Sequence, residues 1–275
     1  MMSEERLRVL VFGAHPDDCD ITAGGTAALY SRLGHAVTFV SVTNGDAGHQ
    51  ELAGAALARR RYAETQAAAM ALGVEYRVLD NHDGELLPTL ERRREIIGII
   101  REIRPDLVMS PRPNDYHPDH RYTAQLIQDA AYMVTVPNVV AFHNHLSVDP
   151  VIVYVSDGFQ KPYPFSPDVI VPIDDVVEQK IDALHAHVSQ FYEWLPYNGR
   201  YLNEVPAGAS ERREWLRQRF GKHLQRDAER HRNLLIKQYG PERGAQVQYA
   251  EAFEGCEYGA RLTPENVNRL FPFFS

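Results

Sequence analysis

Cysteine is almost missing from this 275-residue chain: Cys19 and Cys256 are its whole complement, and no CxxC occurs. That excludes a disulfide framework and a thiolate zinc site, and fits a reducing, cytoplasmic compartment. An excess of base is missing too. Lys and Arg number 29 against 37 Asp and Glu, for a formal net charge of -8, so no broad positive field gathers nucleic acid or anionic membrane. No apolar run reaches the roughly 18 residues that a membrane span requires. The start mixes Glu4 and Glu5 with Arg6 and Arg8 and has no signal-peptide core. Internal repeats, low-complexity tracts and a GxGxxG fingerprint are all absent. Gly13, Gly24 and Gly25 do not make a dinucleotide loop, and Asp17 and Asp18 beside them would repel a phosphate.

What is present is an ordinary globular composition, 44% hydrophobic, in a pattern of alternating strands and helices. Residues 9–12 form a short apolar run, the mark of a strand buried on both faces, and Gly13 and Pro16 punctuate it. A helix over 21–33 follows. Further strands are expected over 36–42, 76–79, 107–109, 151–155 and 169–171, with helices over 57–72, 90–103, 122–134, 174–190 and 211–239. Gly73 closes the second helix, Asp174 or Asp175 is the expected N-cap of the fifth, and Trp215, Leu216, Phe220, Leu224, Leu234 and Leu235 form the buried side of the last. This order predicts an α/β fold: a doubly wound, mostly parallel, Rossmann-like sheet with helices on both faces and a helical C-terminal extension. The expected division is residues 1–196 as the main domain, and 197–275 as a mainly helical extension packed on it.

A parallel sheet brings every strand exit to one edge, where ligands of such folds bind. Four exits are polar, and two carry a repeated spacing. His15 and Asp18 are three apart, as are His117 and His120, so each pair faces one way at the first turn of a helix. Imidazole with carboxylate suits Zn2+, and three protein ligands leave a position for water, as in catalytic zinc sites. His15, Asp18 and one of His117 and His120 make such a set. Zinc lowers the pKa of its water to about 7 and polarises a carbonyl, so zinc-bound water is the expected nucleophile. Asp17, next to a ligand yet pointing elsewhere, is the candidate general base. The histidine left over would stabilise an oxyanion or protonate a leaving amine, with Asp119 orienting it.

His15-Pro16-Asp17-Asp18 after a buried strand, with His117-Pro118-Asp119-His120 at the fourth exit, resembles the PIG-L/LmbE-like deacetylase family. Thr43-Asn44-Gly45-Asp46-Ala47-Gly48, Arg61-x-x-Glu64, Asp83-Gly84 and His187-x-Ser189-Gln190 extend the likeness over residues 7–195. The resemblance implies zinc-dependent removal of an N-acyl group, most often N-acetyl, from a small glucosamine-containing molecule. By position it makes His15, Asp18 and His120 the zinc ligands, Asp17 the general base and His117 the partner of the oxyanion. Arg61 and Asp83 match positions that contact the sugar, with Asp46 beside them. One departure is that Asp115 stands two before His117, where some members carry an aromatic residue, and Tyr116 follows it.

Two other functions fit the same residues. One is a metal-dependent amidase acting on a non-sugar or thiol conjugate; the other is a nucleotide or nucleotide-sugar binding module with a structural metal. Individual residues also have plainer readings. Asp17 or Asp18 alone would serve as an N-cap, and Cys19 as a small core side chain. His143 and His145 read as solvent-facing loop residues, and His49 and His82 as either pocket lining or turn decoration. Tyr192 and Trp194 read as packing. Apart from Arg61, the arginines of 59–61, 92–94 and 212–232 read mostly as solvated helix faces. Leu270, Phe271, Phe273 and Phe274 form a tail that docks on its own sheet or on a second copy in a homo-oligomer.

Overall fold

Two-sided burial governs the first strand of this computed structural model, which describes residues 6–274. Residues 1–5, part of the start read as lacking a signal peptide, lie outside the described residues. β1 (Arg8–Gly13) sends Val9 and Val11 into one core and Leu10 and Phe12 into another, all of them buried. Successive side chains of a strand point to opposite faces, so both faces need cover. β2 (Ala36–Ser41), β3 (Glu75–Val78), β4 (Leu107–Ser110), β5 (Val151–Val155), β6 (Val169–Pro172) and β7 (Ala250–Gly259) join β1 in one seven-stranded sheet of order β3-β2-β1-β4-β5-β7-β6. The strands from β3 to β5 are mutually parallel, with β1 and β2 in register from Arg8↔Ala36 to Gly13↔Ser41.

α1 (Asp18–Arg32), α2 (Gly54–Leu72) and α5 (Val177–Ala186) cover one face through Ala23, Ala27, Leu72, Ile181 and Leu184. α3 (Leu90–Ile103) and α4 (Pro118–Ala131) cover the other through Ile96, Ile100, Leu126 and Ile127. The doubly wound expectation therefore holds. From β1 the chain winds outward to β2 and β3, then crosses back to β4. The β1–β4 junction is thus the point where the strand order reverses, and a crevice opens there at the carboxyl ends.

Past β6 the structure differs from the reading in three places. The helix expected over 174–190 is a short 3-10 turn, Asp174–Val176, followed by α5, which stops at Ala186. Asp174 does not cap it; its Oδ1 accepts from the Gln248 N–H at 2.9 Å. His187 leaves the helix at φ -81°, ψ 62°, and a π-helical segment, Ser189–Trp194, runs into α6 (Leu195–Asn198). The long helix expected over 211–239 is two, α7 (Ala209–Arg230) and α8 (Arg232–Tyr239), broken at His231.

β7 was not anticipated at all. It lies antiparallel between β5 and β6, yet its sequence, AEAFEGCEYG, has no β-branched residue and buries a glutamate. Glu251 is 3% exposed. Its Oε1 accepts from Lys180 Nζ at 2.5 Å and from Gly25 N at 2.8 Å, its Oε2 accepts from Thr26 N at 2.7 Å, and Lys180 Nζ also donates to the Ile21 carbonyl at 2.7 Å. This pair ties β7 to α1 and α5. Removing one member leaves the other charge buried without compensation, so Glu251→Ala is expected to lower the unfolding free energy by about 3 kcal/mol in urea titration. An unchanged midpoint would mean that the pair contributes nothing.

Beyond α9 (Pro241–Gln246) and α10 (Pro264–Leu270), the tail docks on its own chain. Leu270 and Phe271 are fully buried, Phe273 and Phe274 pack against the same core, and the Tyr30 hydroxyl donates to the Leu270 carbonyl. Among the described residues no helix is long and apolar enough to cross a membrane.

Candidate active site

The β1 exit is tightly wound. A Cβ on Gly13 would stand 2.6 Å from the Cβ of Asp18, so only glycine lets the chain fold back so closely. Asp18 Oδ2 accepts from the Ala14 and His15 N–H groups, each at 2.8 Å. Asp17 occupies the N-cap position of α1 at φ 154°, ψ -22°, a backbone region that L residues rarely adopt. Its carboxyl caps nothing, contrary to the plain N-cap reading. Instead Oδ1 lies 3.3 Å from Arg61 Nη2, which also donates to the Pro16 carbonyl at 2.9 Å.

The second motif comes from the β4 exit. α4 begins at Pro118, four residues before the expected start, because proline suits the first helical position. His117 is therefore the N-cap and His120 sits in the first turn. His117 Nδ1 accepts from the Asp119 N–H at 3.2 Å. An accepting Nδ1 leaves the ring proton on Nε2, so His117 is a neutral donor toward the site.

The two motifs meet at the β1–β4 crevice. His15 Nδ1 lies 3.2 Å from His120 Nε2, and Asp18 Oδ2 lies 3.6 Å from the former and 3.4 Å from the latter. Ligands about 2.1 Å from a tetrahedral ion stand about 3.4 Å apart, so this triangle fits a divalent cation. Each imidazole is backed by carboxylate, as ligating histidines usually are: His15 Nε2 lies 3.0 Å from Asp83 Oδ1 and 3.3 Å from Asp119 Oδ2, and His120 Nδ1 lies 3.0 Å from Asp115 Oδ1. His117 is close as well, for donor atoms of His15, His117 and His120 lie within 4.8 Å of one another, as do those of His15, Asp83, His117 and Asp119.

The electrostatics point the same way. Asp17 and Asp83 face the Arg61 guanidinium, while Asp18, Asp83 and Asp119 face His15 and Asp18 and Asp115 face His120. Burial works against charge on His15, but Asp119, Asp18 and Asp83 outweigh it and hold the imidazole well above its usual range. His120 is raised likewise against burial by Asp18 and Asp115. For Asp18 burial is again opposed, here by His120 and His15, and its pKa falls. Asp17 goes the other way: burial, only partly offset by Arg61, pushes it up to about 6. His117 is lowered by burial and by the neighbouring imidazoles His15 and His120. The carboxylates that favour a proton on His15 and His120 would equally favour a cation held between them.

Asp119 is placed differently from the reading. Its carboxylate lies within 4.8 Å of the His117 ring but makes no hydrogen bond to it, the bond between the two residues being from the Asp119 N–H. Fully buried, it accepts from Gly84 N at 2.7 Å and Leu86 N at 3.3 Å and faces His15. Asp46 is likewise occupied within the protein: Oδ2 lies 2.6 Å from His82 Nδ1 and Oδ1 accepts from Asp83 N at 3.0 Å, so it sets the loop that carries Asp83. Arg61 and Asp83 do converge, 3.7 Å apart, on Gly48. A Cβ there would stand 3.1 Å from Asp83 Oδ2, 3.3 Å from Arg61 Nη1 and 4.0 Å from Trp194 Nε1, so glycine keeps this corner open.

Two motifs without an assigned role prove to be partners. Glu64 accepts from the Ser189 N–H at 2.9 Å and hydroxyl at 2.5 Å, and Gln190 Nε2 donates to the Gly48 carbonyl at 3.1 Å. Arg60 and His49 both bind Glu193. Together these fasten the π-helical segment, with Trp194 on it, beside Arg61. His49 and His82 thus organise loops, while His143 and His145 are exposed and Cys19 is in the core, as read.

The sequence reading missed Asp115 as the carboxylate behind His120; its place two residues before His117 was the signal. It also missed a cavity of about 380 Å³ that opens on Asp18 and His120 and is walled partly by α7. Tyr116 stands at it, 72% exposed, its ring centroid 5.5 Å from that of His120.

Residues 10–131 match the PIG-L family, described as GlcNAc-PI de-N-acetylase. The chain is 37% identical over 201 residues to diacetylchitobiose deacetylase of Thermococcus kodakarensis, covering 69% of this chain and 74% of the relative. A solved structure of N,N'-diacetylchitobiose deacetylase from Pyrococcus horikoshii superposes with TM-score 0.70 at 27% identity, over 92% of this chain and 84% of that one. GalB, the 4-carboxy-2-hydroxymuconate hydratase of Pseudomonas putida, shares the fold with TM-score 0.71 at 23% identity, over 94% and 98%.

Proposed function

The chain belongs to the PIG-L family of GlcNAc-PI de-N-acetylases, and from that premise we propose that it is a zinc hydrolase cleaving the N-acyl amide of a small amino-sugar-containing molecule. That a hydratase shares the sheet means the fold alone does not choose the reaction. The observation that carries the reading is the triangle of His15 Nδ1, Asp18 Oδ2 and His120 Nε2, with the Asp17 carboxyl near enough to feel the charge of Asp18 and His15. Nitrogen and oxygen donors at this spacing suit zinc, which when bound would acidify water and polarise the amide carbonyl.

The protein's own groups supply the rest. Asp17, buried and held by Arg61, takes the proton of the attacking water and can return it to the departing amine. His117, its proton fixed on Nε2 by the bond at Nδ1, donates to the oxyanion as it forms. Arg61 and Asp83, converging on the open corner at Gly48, bind hydroxyls of the sugar. Asp83 and Asp119 hold the His15 ring in place, and Asp115 that of His120.

Asp115→Ala is accordingly expected to weaken zinc affinity by about 10- to 100-fold, measured by competition with a chromogenic chelator; unchanged affinity would remove Asp115 from the site. The reading as a whole is tested by incubating the zinc-loaded protein with N-acetylglucosaminides and with non-sugar and thiol-conjugate amides, and following free amine. Release from the glucosaminides is expected. Release only from the other amides would move the substrate class, and release from none would overturn the proposal.

A further inference from the structure

The cavity of about 380 Å³ lies on one side of the donor triangle. His15 turns Nδ1 toward Asp18 and His120, which line this cavity, and Nε2 toward Asp83 and Asp119. Neither Asp17, Arg61, Asp83 nor His117 is among its lining residues. An amide with its sugar at Arg61 and Asp83 and its carbonyl at the donor triangle would have this space open to its acyl carbon. An acetyl methyl needs roughly the 30 Å³ of one water, a small fraction of what is there.

The wall has a definite chemistry. Two charged pairs on it are matched, Arg112 Nη1 donating to Asp157 Oδ1 at 3.0 Å and Lys180 Nζ to Glu251 at 2.5 Å; the Ser156 hydroxyl donates to Asp227 at 2.9 Å, and Arg112 Nε has no hydrogen-bond partner. Asp115 is taken by His120 and by the His117 N–H, and Thr22 donates to the Asp18 carbonyl. Arg226 is exposed. Beside the Tyr116 phenol and the His223 ring, whose centroid lies 4.8 Å from that of Phe220, the cavity presents to a ligand the apolar side chains Ile21, Val155, Phe159, Phe220 and Leu224. Polar groups that satisfy one another gain nothing from a polar guest, whereas the apolar side chains gain with every methylene they cover.

We propose that this cavity is an acyl-chain pocket, walled by α7 and the β5–β6 loop, and that the enzyme removes medium-length acyl groups as well as acetyl. The inference rests on the amide-hydrolase reading above. Two measurements test it. The first compares kcat/KM for N-acetyl, N-butyryl and N-hexanoyl glucosaminides sharing one aglycone, in the native chain and in Gly158→Leu. Gly158 lines the cavity, and a Cβ there meets nothing within 4 Å. N-hexanoyl is expected to be cleaved within about tenfold of N-acetyl, and Gly158→Leu to lower the hexanoyl-to-acetyl ratio by about tenfold or more. The second titrates zinc-loaded protein with acetate and hexanoate by calorimetry; hexanoate is expected to bind at least about tenfold tighter.

A native enzyme that cleaves N-acetyl but loses more than about tenfold on N-hexanoyl overturns the pocket, as do equal affinities for the two carboxylates or a ratio that Gly158→Leu leaves unmoved. If no glucosaminide is cleaved while hexanoate still binds more tightly than acetate, the amino-sugar reading falls and the acyl pocket stands.

Discussion

Asp17→Asn is expected to keep its metal and lose most of its turnover, with kcat down by about 10²- to 10⁴-fold. The amide has nearly the shape of the carboxyl and can still accept from Arg61, whose Nη2 lies 3.3 Å from Oδ1, but it cannot take a proton. Asp17 also stands outside the triangle of donor atoms, so zinc stoichiometry by atomic absorption should not change. Nor should the protein unfold more easily. The folded-state pKa of Asp17 is raised to about 6, above its unfolded value, so the folded chain binds more protons here and ionising this group above that pH works against folding. In the metal-free protein an uncharged residue relieves that cost, and there the melting temperature at neutral pH should hold or rise. Near-normal turnover in a metal-loaded Asp17→Asn protein would sink the assignment of Asp17 as base.

The second large effect separates the two histidines of α4. His120→Ala is expected to weaken zinc by roughly 10²- to 10⁴-fold, about a third of a total binding energy of ~10–16 kcal/mol shared by three ligands. Activity should be lost unless zinc is supplied in excess. His117→Ala is expected to retain zinc and lose about 10²-fold in kcat with little change in KM, since its Nε2–H acts only on charge that develops during reaction. Spacing alone does not distinguish these residues, and the donor atoms of both lie near His15. The roles separate because His117 spends Nδ1 on the Asp119 N–H, whereas His120 points Nε2 at Asp18 and is backed by Asp115. Zinc lost from His117→Ala but kept by His120→Ala would exchange the assignments.

Much of this was legible in the sequence, for reasons that can be stated. The apolar run of β1 and the 3.6-residue period of α3 are one-dimensional signals of burial, and the residues of α3, Leu90–Ile103, match the expected span. The winding of strands and helices then forced His15–Asp18 and His117–His120 to one edge. What escaped depends on contacts that have no period. Glu251 reads as a surface residue until Lys180 is found against it, and with it β7 disappears from the pattern. The early start of α4 turned on Pro118, which reads equally well as a loop residue. The role of Asp119 depended on which way a buried carboxylate faces, and it faces His15. Asp115 lay in plain view two residues before His117, whereas Gly48 and the α7 wall of the cavity were invisible because their partners lie on other elements, at distances in sequence that no local pattern spans.

The position of β7 also bears on how the chain acquires its shape. Among the described residues β6 bonds to no strand but β7, through pairs running from Val169↔Phe253 to Pro172↔Ala250, so it must wait for the whole segment 173–249 before it has that neighbour. Sheets closed by such distant pairings form slowly. Ala250 and Glu251 also line the cavity beside Asp18. A nascent or truncated chain lacking β7 would then hold both histidine motifs and still have a gap in its sheet and an open-sided pocket. The wall of the substrate cavity is in this way tied to the last strand of the sheet in chain order.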